Sequence, residues 1–125
     1  MIAKTTRLEY LLLFRSTNWQ KGLSPEAIQQ NLDRFTAWFK QLRNDGTFKA
    51  GGPLLYDGRI VADRKVVIDG PFAESKEAIA GFLIVQADSL EQATQIAQDC
   101  PGFRFGQIVE VRTIGPDLST REKLR

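Results

Sequence analysis

The sequence predicts a single α+β domain in which an antiparallel sheet carries two helices on one face. Short apolar segments alternate with two amphipathic helical segments, in the order strand, helix, hairpin, strand, helix, strand. The length of 125 residues suits one hydrophobic core and is short for two. We therefore assign residues 1–125 to one domain, with its core at about 8–114 and a polar tail at 115–125.

The first segment, residues 8–14, has the alternation of a strand and is apolar on both faces. One face carries Leu8, Tyr10, Leu12 and Phe14, and the other carries Leu11 and Leu13. A strand of this kind is covered on both sides. We expect helices over one face and a second copy of the chain over the other, and we place Tyr10 and Leu12 on the helix-free face.

The first helix is predicted to begin after Ser24, a capping hydroxyl that is followed by Pro25 and Glu26 in the first turn. Gly46 suits the left-handed position that ends a helix. The predicted buried stripe has spacings of four, three, four and three residues, with Trp38 beside it. It consists of Ile28, Leu32, Phe35, Phe39 and Leu42.

A hairpin is predicted in the middle of the chain. Residues 54–56 and 66–68 are its apolar strands, and Asp57-Gly58 is its tight turn. A further strand, apolar on both faces, is predicted at residues 80–85.

The second helix is predicted from a capping box formed by Ser89 and Gln92, and Pro101-Gly102 ends it. Its predicted buried face consists of Leu90, Ala93, Ile96, Ala97 and Cys100.

The last strand, residues 108–114, alternates in character. Val109 and Val111 fall on one face, whereas the other face mixes apolar and charged residues: Ile108, Glu110, Arg112 and Ile114.

This order of elements gives a ferredoxin-like β-α-β-β-β-α-β sheet with both helices on one face. The other face of the sheet is still apolar. Pairing that face with the same face of a second copy buries it and gives a symmetric homodimer with a barrel-like interior.

The composition excludes several classes of site. The chain contains no histidine, which excludes histidine acid–base catalysis, histidine-activated nucleophiles and histidine-ligated metals. Cys100 is the only cysteine, so an intrachain disulfide is impossible and a buried, inert thiol is expected. Glycine-rich phosphate loops are also missing, and the sequence predicts neither a cofactor nor a metal.

The charge and hydropathy of the sequence limit the classes of binding partner that can be expected. The 17 basic and 15 acidic residues are interleaved, which predicts no nucleic-acid partner because such binding needs a dense basic patch. No apolar stretch approaches the roughly 20 residues of a membrane span. No signal peptide is recognisable either. The expected location is therefore the cytoplasm.

Residues 67–77 contain Asp69-Gly70-Pro71-Phe72 followed by an acid-rich loop. Ala80-Gly81-Phe82, residues 88–93, Cys100-Pro101 and residues 108–112 follow in order. These blocks resemble the YCII-related (DGPF-motif) family of the dimeric α+β barrel superfamily, over roughly residues 8–114.

The resemblance implies a ferredoxin-like subunit, a homodimer and a small-molecule cavity at the helix-free face. Some relatives resemble enzymes that act on chlorinated hydroxyquinones or related small rings with a His-Asp pair. Others are linked by genomic neighbourhood to extracytoplasmic-function sigma factors, which implies a regulatory context. Asp69 matches the acid of the motif, but this sequence offers no histidine for the other half of the pair.

Five residues are candidates for the site, and each has a structural alternative. Asp69 is the candidate catalytic base, or else a turn residue. Tyr10 is a ligand-binding hydroxyl or a core ring, and Glu74 lines the pocket mouth or is solvated. Glu110 and Arg112 either hold a ligand carboxylate or form an ion pair.

Three functions remain open. The leading hypothesis is a dimeric small-molecule-binding protein with a regulatory role. The alternative is a small-ring enzyme, of dehydrochlorinase, isomerase or lyase type, with Asp69 as the base and Arg112 as electrophilic support. The third hypothesis is a protein-interaction module whose partner docks on the acidic loop around Glu74.

Overall fold

The fold was taken from a computed structural model, which describes residues 8–15, 20–55, 57–69 and 79–115, with the side chains of residues 66–69 excepted. It confirms the predicted α+β class. The strands are β1 (Leu8–Arg15), β2 (Phe48–Pro53), β3 (Arg59–Ala62), β4 (Lys65–Asp69), β5 (Ile79–Ala87) and β6 (Ile108–Ile114). The helices are α1 (Pro25–Asn44) and α2 (Leu90–Gln98), with a short 3-10 helix at Pro101–Phe105.

The main sheet has the strand order β2-β5-β1-β6, and every neighbouring pair is antiparallel. The alternation along this order makes β1 parallel to β2, and β5 parallel to β6. Helix α1 connects the first of these pairs and α2 connects the second, so each unit is a β-α-β crossover. This is the predicted ferredoxin-like arrangement.

Both helices begin as their sequences predict. The Ser24 hydroxyl accepts a hydrogen bond from the Ala27 N–H at 3.1 Å. The Ser89 hydroxyl accepts one from the Gln92 N–H at 3.0 Å, and the Gln92 side chain accepts one from the Asp88 N–H at 2.6 Å. These bonds satisfy N–H groups that have no partner inside the helix.

The predicted buried stripes are partly wrong. In α1 the buried residues are Asn31, Trp38 and Leu42, whereas Leu32 is exposed. In α2 Leu90 is exposed, and only the smaller Ala93 and Ala97 are fully buried. The stripes are otherwise largely confirmed, since Phe35, Phe39 and Ile96 are partly buried and pack against the core. Leu32 and Leu90 lie outside the part of each helix that the sheet covers.

The core lies between the sheet and the two helices. It is formed by Tyr10, Leu12, Phe14, Trp38, Leu42, Leu83, Val85, Ala87, Ala93, Ala97 and Cys100. The Phe14 ring meets the Trp38 ring edge-on, with centroids 6.1 Å apart. Because Tyr10, Leu12 and Phe14 share one face of β1, that face is the helix-covered one. The expectation that Tyr10 and Leu12 lie on the helix-free face is wrong.

The hairpin is displaced from its predicted position. Its strands are β3 and β4, and its turn is at Asp63-Arg64, where both residues have positive φ angles, 49° and 66°. Such a turn normally carries Asn-Gly or Asp-Gly, which drew the prediction to Asp57-Gly58 instead. Residues 54 and 55 belong to no strand, whereas the predicted strand at 66–68 is confirmed within β4.

Strand β2 was not predicted because it contains two glycines. A Cβ atom added at Gly51 would lie 2.8 Å from the carbonyl oxygen of Phe82, so glycine is required where β2 meets β5.

Candidate functional site

The sheet has one face without helices, and we call it the open face. In an antiparallel pair, residues directly opposite each other point to the same side. Leu11 is opposite Ile84 and Arg112, and Leu13 is opposite Phe82 and Glu110. The open face therefore combines apolar residues of the two central strands with charged residues of β6.

The centre of the open face is apolar. Leu11, Leu13, Phe82 and Ile84 are adjacent on β1 and β5 and are each only partly buried. On the other side of the same strands, Leu12, Leu83 and Val85 are 0% exposed. The four apolar residues thus form a continuous surface that no described helix covers.

A cluster of three charged side chains lies beside this surface. The Arg112 Nη1 atom donates to the Glu110 Oε2 atom at 3.3 Å, and the Arg15 Nη1 atom lies 3.6 Å from Glu110 Oε1. The Arg15, Glu110 and Arg112 side chains are 31%, 35% and 67% exposed. The Glu110 carboxylate is therefore shared by two guanidinium groups.

A second ion pair lies at the other end of the same face. Glu9, which is opposite Ile114, accepts a hydrogen bond from the ammonium group of Lys49 on β2. The open face is thus bordered by charges at both ends of β1.

The sequence predicted part of this site. Glu110 and Arg112 share the open face with Ile108 and Ile114, as the alternation of the last strand indicated. Arg15 was missed, although it continues the alternation through residues 9, 11 and 13 by one step.

The other predicted site residues are not brought to this cluster. Tyr10 is 2% exposed and lies on the opposite side of the sheet. Asp69 ends β4, but its side chain is outside the described part of the structure, and so is the whole of Glu74. Among the described residues, no group of three or more acidic or cysteine side chains is placed to hold a metal ion.

Cys100 is buried, as predicted, and belongs to the core and not to the open face. Its thiol donates to the Gln107 side-chain oxygen at 3.4 Å and accepts from the Gly102 N–H at 3.4 Å. Burial raises the pKa of the Cys100 thiol from its ordinary value of 9.0 to about 11. A thiol that resists ionisation is a poor nucleophile, so its environment argues for a structural role.

The sequence of the chain matches the YCII-related domain over residues 9–116. The chain belongs to the YCII-related family. The match includes both β-α-β units, and it includes the hairpin that carries the Asp69 motif. None of the described helices of this YCII-related protein is long and apolar enough to cross a membrane.

The proteins that this YCII-related chain resembles include a bacterial relative and an enzyme of known structure. An uncharacterised protein of Rhizobium meliloti (strain 1021) is 45% identical over 38 residues, which are 30% of this chain and 31% of that protein. The chain therefore matches about a third of that relative's length. A solved structure of 5-chloro-2-hydroxyhydroquinone dehydrochlorinase from Burkholderia phenoliruptrix AC1100, in complex with 2,5-dihydroxybenzoquinone, is 23% identical. The likeness covers 81% of this chain and 90% of that one, with a TM-score of 0.42.

Proposed function

We propose that this YCII-related protein is a homodimer that binds a small anionic molecule at its open face. The observation that carries the proposal is the position of the cluster of Arg15, Glu110 and Arg112 at the edge of an uncovered apolar surface. A ligand with an apolar body and a carboxylate matches both halves of this site.

The apolar half of the site supports the dimer. Leu11, Leu13, Phe82 and Ile84 stay half-buried on the open face, whereas an apolar sheet face of a folded domain is normally covered. A second copy, placed with the same face inward, covers all four residues and encloses the space between the sheets.

The charged half of the site supports the anionic ligand. A surface ion pair contributes only about 0–1 kcal/mol to stability, so folding of the single chain gives little reason for this cluster. Enclosure by a second subunit lowers the local dielectric constant and strengthens each charge interaction. Arg112, the most exposed of the three, then has guanidinium N–H groups available for a bidentate pair with a ligand carboxylate.

The remaining family features fit as parts of this proposal. Asp69 and Glu74 lie in the segment that carries the family motif, and both stay candidates for ligand contact by the family resemblance alone. Tyr10 is left out of the ligand site because its ring lies in the core. The regulatory role implied by the sigma-factor neighbourhood of some relatives is consistent with a protein that binds a ligand without histidine chemistry.

The first test is a thermal-shift screen against small aromatic and aliphatic carboxylates. A compound at about 100 times its dissociation constant should stabilise the wild type by about 2.7 kcal/mol. Arg112→Ala should lose most of that shift, because it removes the bidentate partner. The matched control is Arg34→Ala, which removes the same charge from an exposed position on α1.

Two results would contradict the ligand site. Equal loss of the shift in Arg34→Ala would mean that overall charge attracts the ligand. An undiminished thermal shift in Arg112→Ala would show that the ligand binds somewhere other than the open face.

Sedimentation equilibrium at micromolar concentration tests the dimer directly. The wild type should sediment as a dimer, and Leu13→Glu should sediment as a folded monomer because it places a charge in the centre of the open face. A wild-type protein that sediments as a monomer at these concentrations would contradict the proposed site, because a single chain does not enclose the open face.

A further inference from the structure

The four-stranded sheet ends in two edge strands, β2 and β6, and their outer edges differ. Strand β2 is irregular, because its pairing with β5 shifts register between Phe48 and Ala50. Its six residues also include two glycines and end in Pro53. Bulges and prolines are devices that keep an edge strand from pairing with another chain. The outer edge of β2 is therefore poorly suited to pairing.

Strand β6 has none of these features. Its seven residues pair with β1 without a shift of register, and they include neither glycine nor proline. Within the described part of the chain, no strand pairs with its outer edge. Five of the seven residues are β-branched, and such residues favour strands: Ile108, Val109, Val111, Thr113 and Ile114. A regular, unpaired edge of this kind is a template for a further strand.

The sequence of β6 is complementary to itself in antiparallel pairing. When two copies of the strand run in opposite directions around a two-fold axis at Val111, residues equally far from Val111 stand opposite each other. Glu110 of each copy then stands opposite Arg112 of the other. These are the only charged residues of the strand, and a two-fold axis at any other position separates both pairs. Opposite charges in directly opposed positions stabilise a strand pair.

The β-branched residues match across the same axis. Ile108 stands opposite Ile114, Val109 opposite Thr113, and Val111 opposite Val111 of the other copy. Cross-strand contacts between such side chains also stabilise a pair of strands. Ile108, which is 58% exposed in the single chain, gains an apolar neighbour in this arrangement. One register therefore matches both the charges and the apolar residues of the strand.

We propose that β6 pairs edge to edge with β6 of a second copy, antiparallel and centred on Val111. The pairing joins two four-stranded sheets into one continuous sheet. It uses the backbone edge of the sheet and not its open face, so it forms whether or not the open faces are paired. One strand from each copy makes a small contact, and small interfaces are weak. The edge pair should therefore form at higher protein concentration than the face-to-face dimer.

The first test is disulfide cross-linking on a Cys100→Ala background, which removes the native thiol. The pairing places the two Val111 Cα atoms about 4.5–5.5 Å apart, within the range that a disulfide spans. Val111→Cys should therefore form a covalent dimer on mild oxidation at high protein concentration. Val109→Cys is the matched control, because Val109 is also partly buried and packs against the same core. In the proposed register its two copies lie about 13 Å apart, too far for a disulfide.

The second test exchanges the charges of β6 in chains that carry Val111→Cys. Glu110→Arg places arginines opposite each other, and Arg112→Glu places glutamates opposite each other, so each variant alone should cross-link at least tenfold more slowly. An equimolar mixture of the two variants should recover rapid cross-linking, because every arginine then faces a glutamate. Recovery in the mixture also shows that both variants are folded.

The open face does not contribute to this result. Val111 is opposite Leu12, which is buried on the helix-covered side of the sheet. A face-to-face dimer therefore cannot bring two copies of residue 111 together, and failure of the edge pair leaves the open-face proposal standing.

A mixture of Val109→Cys and Thr113→Cys chains checks the register independently, and it keeps the test valid if Val111→Cys fails to fold. These two residues stand opposite each other in the proposed pair, so the mixture should cross-link although neither chain does so alone. Two outcomes overturn the proposal. One is cross-linking of Val111→Cys no faster than that of Val109→Cys, and the other is the absence of recovery when the two charge variants are mixed.

Discussion

The two faces of the central sheet differ sharply, although they are built from alternating residues of the same strands. On the helix-covered face, Leu12, Leu83 and Val85 are completely buried. On the open face, their neighbours Leu11, Phe82 and Ile84 are apolar too, yet they remain partly exposed beside a charged cluster. The difference lies in what covers each face and not in the hydrophobicity of the strands.

The two faces therefore contribute differently to the stability of the single chain. The helix-covered face contains the tightly packed core, which the single chain completes by itself. The open face leaves apolar area partly exposed beside three charged side chains, and our proposal assigns this area to a partner subunit and a ligand. Substitutions on the two faces should therefore have different consequences.

The largest difference in stability is expected between alanine substitutions of Leu83 and Ile84, which are adjacent on β5 and point to opposite faces of the sheet. Leu83→Ala should lower the free energy of unfolding by about 2–5 kcal/mol, because it leaves a cavity in a packed core. At low protein concentration, Ile84→Ala should lower the free energy of unfolding clearly less than Leu83→Ala does. At concentrations where the proposed dimer forms, the loss for Ile84→Ala should be larger. Urea denaturation at two protein concentrations measures both.

Equal losses for Leu83→Ala and Ile84→Ala at the lowest concentration would show that the open face is already covered within one chain. A loss for Ile84→Ala that does not change with concentration would count against the dimer.

The second expected effect is a pH dependence of the free energy of unfolding, which arises from Cys100 on the helix-covered side of the sheet. The pKa of the Cys100 thiol is raised by burial, so the native state disfavours the thiolate. Its contribution to stability is fully present below about pH 9 and is lost as the pH rises through about 11. Lysines and tyrosines also titrate at high pH, but they are the same in wild type and Cys100→Ala. The difference between the unfolding free energies of the two proteins from pH 9 to pH 11 therefore reports the contribution of the thiol.

The wild type should also react much faster with an aromatic disulfide reagent when unfolded in urea than when native. Rapid modification of the native protein at neutral pH would show that this side of the sheet is open to solvent.

The smallest effect is expected at the capping box of α2, which helps to cover the buried face. Ser89→Ala should lower the free energy of unfolding by about 1 kcal/mol, because the Gln92 N–H loses its acceptor. Ser89→Asp keeps an acceptor and should remain close to the wild type. Dimer dissociation, measured by sedimentation, should not change in either variant, since α2 does not reach the open face.

Much of the local structure could be predicted from the sequence. Ser24, Pro25 and Gly46 define the limits of α1, since capping depends on residues only three or four positions apart. The alternation of β6 likewise predicted that Glu110 and Arg112 share a face. Local chemistry fixed these features, and the family match covers the same segments.

The rest depended on contacts between distant segments. Leu32 and Leu90 are exposed although they belong to the predicted stripes, because the sheet decides which side of each helix is buried. Strand β2 was not predicted, and only its pairing with β5 shows why Gly51 must be a glycine, at its close approach to Phe82.

The sequence by itself determined that β1 and β5 are apolar on both faces. Only the tertiary structure decided which face receives the helices, and with it the place of Tyr10 in the core and of Arg15 beside Glu110. The physical reason is symmetry: a strand with leucines on both sides favours neither side. The choice is made by the path of the crossovers and by the packing of Trp38 against Phe14.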